Sequence, residues 1–184
     1  MSSSVKFEER LSRGRHMSEE TSAKSAVAGE RKRVLLCVVD DTEELDVAIE
    51  FAALRAKRHN SRVALLYVVD KAAEFQHWGT VGDLMREEAR NEAEQRLQRA
   101  AGQVQRWSGQ VPVLYIREGS RSDELIKLIN EDLSISILIL AAHTGPQGPG
   151  PLVTALTGKF VGRLRVPLVV VPGNLSDEAL DLLA

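Results

Sequence analysis

The chain is poor in cysteine, in aromatic residues and in long apolar runs. It has one cysteine, Cys37, and eight aromatics (four Phe, two Trp, two Tyr) in 184 residues. A lone cysteine cannot form an internal disulfide, and no CxxC or Cys/His cluster points to structural zinc. Both absences lead us to expect a reducing, cytoplasmic setting. No apolar run approaches the ~20 residues of a membrane-spanning helix. Few aromatics require a core of Leu, Ile, Val and Ala. With 43% hydrophobic residues, the composition is neither collagenous nor that of a wholly disordered chain. The length suits one domain, which buries roughly 70% of its unfolded surface.

The formal net charge of −2 conceals an uneven distribution. Residues 1–33 hold eight Lys/Arg against five Glu, a net of +3, which leaves 16 basic and 21 acidic residues, a net of −5, for the rest. Val5, Phe7, Leu11 and Val27 are the sizeable branched or aromatic apolar side chains of this segment. It cannot bury enough to offset its chain entropy and is expected to be a disordered basic arm. It lacks the apolar stretch of a secretory signal, its glutamates argue against a mitochondrial presequence, and Met17 is an alternative start.

From Val34 onward, apolar strands alternate with amphipathic helices. Residues 34–39 form a continuous apolar run ending at Asp40 and Asp41, as in a strand covered on both faces. Asp41 to Glu44 has the form of a capping box opening a helix, with Leu45, Ala48, Ile49, Ala52 and Ala56 on one stripe. A second strand covers 62–69 and also ends at an aspartate, Asp70. Phe75, His77 and Trp78 lie in the connector to a long helix over 83–107. Its stripe is Met85, Ala89, Ala93, Leu97, Ala100, Val104 and Trp107, and Glu92 and Arg96 stand four apart in the favourable order. A crossover helix fits that stripe between strands better than a coiled coil.

The third strand covers 111–116, with Pro112 near its start. Ser122 is the expected cap of a helix with Asp123 and Glu124 in its first turn. Strands at 135–141 and 167–171 flank a Gly/Pro-rich loop, 145–151, and a helix running to about Arg165. A short amphipathic piece closes the chain over 176–183. Five strands and four intervening helices predict an α/β fold with an open, doubly wound parallel sheet and helices on both faces.

In such sheets ligands bind beyond the carboxyl ends of the strands, where the winding reverses. If the first and fourth strands are neighbours there, Asp40 and Asp41 meet the loop from Ala142 to Pro151. Its glycines allow backbone N–H groups to approach an anion, and Pro151 suits a first helical position. An ordinary turn is the competing reading. Other motifs fail on spacing. Gly158-Lys159 is followed by Phe160 and has Val153 five residues earlier, so it is not a Walker A loop. No Gly-x-Ser-x-Gly elbow is present. His16, His59, His77 and His143 are too scattered for a metal site. Mid-strand Cys37 is expected to be a buried small hydrophobe. Phe75 and Trp78 are either a lid or anchors of the long helix.

Three features together resemble the universal stress protein family over residues 34–173. One strand ends in Val38-Val39-Asp40, and another ends in Leu66-Tyr67-Val68-Val69-Asp70. The glycines Gly145, Gly148 and Gly158 have the Gly-x2-Gly-x9-Gly spacing of ATP-binding members, ahead of Pro167-Leu168-Val169-Val170-Val171. The pattern departs at Lys159, where Ser or Thr is usual, and at Ala142, where glycine is usual. Pro146, Pro149 and Pro151 also stiffen the loop.

The resemblance implies strand order 3-2-1-4-5 and homodimers joined through the last strand. It implies an adenine nucleotide (ATP, ADP or AMP, with Mg²⁺ for a triphosphate) bound without dedicated catalysis. Asp40 and backbone around Val68 would meet adenine or ribose. Ala142, Gly145, Gly148, Gly158 and Lys159 would border the phosphates. A cytoplasmic stress-response role follows, with neither nucleic acid nor membrane as partner. The alternative is a dimeric interaction scaffold of the same fold that binds no nucleotide. On either reading, residues 174–184 form a short tail after the domain.

Overall fold

The computed structural model describes residues 32–70 and 80–184, with backbone alone for 80–83. The proposed arm, Met17, Phe75, His77 and Trp78 lie outside the described residues. In chain order the elements are β1 (Val34–Val38), α1 (Leu45–Arg58), β2 (Arg62–Val69), α2 (Thr80–Ser108), β3 (Val113–Glu118) and α3 (Arg121–Glu131). Then follow β4 (Ile135–Ala142), α4 (Pro151–Thr157), a 3₁₀ turn (Val161–Arg163), β5 (Leu168–Pro172) and α5 (Asp177–Leu183). The five strands pair in parallel in the order β3-β2-β1-β4-β5.

Alternation along β1 divides the core into two layers. Leu35, Cys37 and Val39 pack with α1, α2 and α5, beside Ala48, Ile49, Leu97 and Leu180. Leu36 and Val38 face the opposite way, with Leu125, Ile129, Val153 and Leu156 of α3 and α4. Every residue of β1 is buried. A central parallel strand has helices on both faces, so its sequence shows an unbroken apolar run and not an alternation. The slim alanines of α1 (Ala48, Ala52, Ala53, Ala56) are buried and bring the helix close to the sheet.

Several element ends differ from the sequence-based expectation. Asp41 does not cap α1. Glu44 is the cap residue, in helical geometry and without a side-chain cap bond. Thr42 donates its N–H and hydroxyl to Asp40 Oδ1 at 3.1 and 2.7 Å, and Asp41 instead pairs with Arg96 of α2. The stripe of α2 is buried in its centre (Ala93, Leu97, Ala100, Val104), while Met85 and Trp107 remain 36% and 37% exposed. A helix of 29 residues spans about 43 Å. The eight-residue strand β2 covers about 26 Å, so the helix overhangs the sheet.

Ser120, not Ser122, caps α3, and it makes no side-chain cap bond. Helix α4 stops at Thr157, because the chain leaves helical geometry at Gly158 (φ −102°, ψ −99°), and the 3₁₀ turn replaces the expected run to Arg165. Helix α5 is capped by Ser176, whose Oγ accepts from Ala179 N–H at 3.3 Å.

Candidate functional site

The winding reverses between β1 and β4. Cys37 is in register with Ile139, so Asp40 and Ala142, each three residues further on, come level at the carboxyl edge. Ala142 is the last residue of β4. It is buried, and its carbonyl accepts from Gly173 N–H at 2.9 Å. Val68 lies on the adjacent strand with its side chain in the core layer beneath α3, so only its backbone can meet a ligand.

The loop rising from β4 turns at Gly145, whose carbonyl accepts from Gly148 N–H at 3.1 Å. Gly148 (φ +82°) and Gly150 (φ +97°) adopt left-handed backbone that favours glycine, and a Cβ on either would meet nothing within 4 Å. The loop is therefore glycine-rich because of its conformation, and space lies beside it. Gly158 and Lys159 follow the last turn of α4, away from its first turn, and the Lys159 ammonium lies over the Phe160 ring at 5.1 Å.

Two side-chain pairs brace this edge. Arg96 bonds Asp41 and, at 2.6 Å, Glu92, and its guanidinium lies 6.0 Å from the Tyr67 ring centroid. The Glu92–Arg96 pair is the one expected from helical spacing. Burial pushes the Tyr67 hydroxyl up, and the charges of Glu92 and Asp40 act in the same direction against Arg121. The second pair is Glu44 with His143 Nδ1, which joins the segment after β1 to the segment after β4. The bond from His143, then that from its own backbone N–H, holds the Glu44 carboxyl below its ordinary value. The sequence pattern makes Glu44 part of a capping box and leaves His143 too far from the other histidines for a metal site. Glu44 and His143 lie 99 positions apart, and no local signal joins them.

Cys37 is buried, with its thiol pushed up to about 12, first by burial and then by the charge of Asp40. It is unsuited to nucleophilic chemistry. Among the described residues no cluster of His, Cys, Asp and Glu could hold a metal ion, and no helix is long and apolar enough to cross a membrane.

The universal stress protein family model matches residues 31–172. The chain belongs to that family. Its fold is that of the universal stress protein UspA from Lactobacillus plantarum, with TM-score 0.62 and 18% identity over 77% of this chain and 98% of that one. A universal stress protein solved in complex with cAMP has TM-score 0.55 and 12% identity, covering 78% of this chain and 98% of that one. One from Archaeoglobus fulgidus solved in complex with dAMP has TM-score 0.52 and 11% identity, covering 76% and 96%. At these identities the likeness is one of fold. No curated protein matches the chain.

Proposed function

We propose that this family member is a cytoplasmic stress-response protein that binds an adenine nucleotide at the carboxyl ends of β1 and β4 and has no dedicated catalytic apparatus. The observation that carries this reading is the convergence at the winding reversal. Asp40 and Ala142 stand level there, and the glycine loop leaves β4 directly beside them. Ligands of open α/β sheets sit in such a crevice. Asp40 and the backbone of Val68 would take the adenosine part, and the loop at Ala142, Gly145 and Gly148 the phosphate. Gly158 and Lys159 would border it from the far end of α4. Two fold neighbours solved with cAMP and dAMP support the choice of adenine.

The residues suit a nucleoside better than a magnesium triphosphate. Asp41 is neutralised by Arg96, and Asp40 Oδ1 is occupied by Thr42. His143 is engaged by Glu44, and among the described residues no other histidine lies at this edge to serve as a general base.

The full chain should carry adenine nucleotide when examined by native mass spectrometry directly after purification, and millimolar AMP or ATP–Mg²⁺ should raise its Tm. Gly148→Val should abolish both effects while leaving the circular dichroism spectrum intact, because the substitution strains one exposed turn by about 1–3 kcal/mol. A nucleotide-free protein with no thermal response would sink the reading. The scaffold reading would then stand, and the Glu44–His143 contact, which ties the two sides of the crevice together, favours it.

A further inference from the structure

Arg96 is the mostly buried member of an otherwise exposed cluster. Its side chain is 24% exposed, while its two partners, Asp41 and Glu92, are each 60% exposed. Its Nε is buried with no hydrogen-bond partner among the described residues. An ion pair with an exposed carboxylate adds little to stability, and a buried donor without a partner subtracts from it. The cluster is therefore poorly explained as a prop for the fold. What it touches explains it better. Asp41 follows Asp40, and Tyr67, whose ring centroid lies 6.0 Å from the Arg96 guanidinium, precedes Val68. One guanidinium thus holds the chain neighbours of both residues that would take the adenosine part. Two turns further along the same side of α2, Gln103 Nε2 donates to Asp46 Oδ1 at 2.8 Å, so α2 also grips the first turn of α1.

We propose that Arg96 is a positioning residue for the adenosine end of the crevice. By holding Asp41 and Tyr67 it fixes Asp40 and the Val68 backbone, and it touches no ligand itself. The proposal rests on the nucleotide reading above and adds to it a residue from α2. Strand alternation makes the arrangement possible. Tyr67 packs in the layer of α1 and α2 and Val68 in that of α3, so a hold on Tyr67 sets Val68 from the opposite face of the sheet. A binding segment that keeps its bound geometry a tenth of the time binds about tenfold more weakly, and that is the scale of the expected loss.

Isothermal titration calorimetry of AMP and ATP–Mg²⁺ against the full chain, Arg96→Met, Arg96→Lys and Asp41→Asn, with a thermal melt of each, tests this. Arg96→Met keeps an apolar stem and removes the unpartnered donor, so its Tm should stay within about 3 °C of wild type. Its affinities for AMP and ATP should fall by the same factor, about tenfold. Asp41→Asn leaves the buried stem untouched and should weaken both ligands in the same direction. Arg96→Lys keeps the charge but cannot span two carboxylates with a planar fork, and it should stay about threefold or more weaker than wild type. Affinities within about twofold of wild type in Arg96→Met, or in Asp41→Asn if Arg96→Met does not fold, overturn the proposal while the nucleotide reading stands. So does a loss several-fold greater for ATP than for AMP, or full rescue by lysine, because either would make Arg96 a charge acting on the phosphates. If wild type binds neither nucleotide, the underlying reading falls and takes this proposal with it.

Discussion

Asp132, just past the end of α3, gathers three donors. Ser134 N–H and Oγ bond its Oδ1 at 2.9 and 2.6 Å, and the Tyr115 hydroxyl donates to Oδ2 at 2.8 Å. Burial pushes its carboxyl up. The bonds from Ser134 and Tyr115, with Arg165 nearby, outweigh that and hold it below the ordinary 3.8. Tyr115 moves the opposite way, raised by burial and then by its bond to Asp132. A depressed carboxylate contributes stability that is present above its unfolded-chain value and is lost as pH falls through the folded one. Asp132→Ala should therefore cost about 1–2 kcal/mol at neutral pH. Its deficit against wild type should begin to shrink below pH ~4, where the unfolded chain's carboxyl protonates, and go on shrinking as pH falls through the lower folded value. Urea denaturation of both proteins at neutral pH and at about pH 3 checks the sign. A deficit that stays constant with pH would mean that lost packing, not charge, is responsible.

One arginine joins elements that are distant in sequence. Arg165, between the 3₁₀ turn and β5, donates from Nε and Nη2 to Ile129 O at 3.2 and 2.5 Å. Its Nη2 also reaches Asp132 O at 3.1 Å and Ile135 O at 3.3 Å. These include carbonyls at the end of α3, which a helix leaves without intrahelical donors, and α3 has no basic residue in its last turn. Arg165→Ala should lower stability by about 1–2 kcal/mol, or Tm by roughly 3–6 °C. Arg165→Lys should recover less than half, since one ammonium cannot reproduce a planar fork. A thermal melt in which Lys fully restores Tm would show that charge alone is needed.

The role of Arg165 also explains why α4 was expected to be too long. Helical spacing carries the pattern on to residue 165, while the chain leaves helix after Thr157, and Arg163 and Arg165 bond to α3. Asp41 was misread for the same reason, because Arg96 of α2 competes for its carboxylate. Apolar runs and strand-end aspartates depend on local pattern and were legible, down to the buried faces of β1 and α1. The place of Asp40 just past β1 and the positive φ of Gly148 were legible too. The pairing of Glu44 with His143 depends on β1 and β4 becoming neighbours, and it could not be read before the topology was known.

At the scale of the whole molecule, the described residues leave two sheet edges, β3 and β5, without a further paired strand, and the two are built differently. The β3 edge carries Arg117 and Glu118, with Arg117 paired to Glu131 at 2.7 Å, the kind of charge that blunts an exposed edge. The β5 edge, Leu168–Pro172, has no charged residue, and its central Val170 is 36% exposed. An uncharged apolar edge invites another strand unless something covers it, and two copies pairing edge to edge would satisfy it by a closed two-fold arrangement. A homodimer through β5 is therefore expected. Light scattering should give twice the 20.3 kDa chain mass at tens of micromolar. Val170→Glu should give a monomer, since it would bring two like charges together across the axis at a cost of several kcal/mol. Val170 is paired with Leu140 on its own β4, and that register does not require a valine side chain, so the spectrum and the fold should be kept. A wild-type chain that is monomeric under these conditions rules the edge pairing out. A Val170→Glu chain that remains dimeric moves the interface to another surface and leaves β5 as an edge protected in some other way.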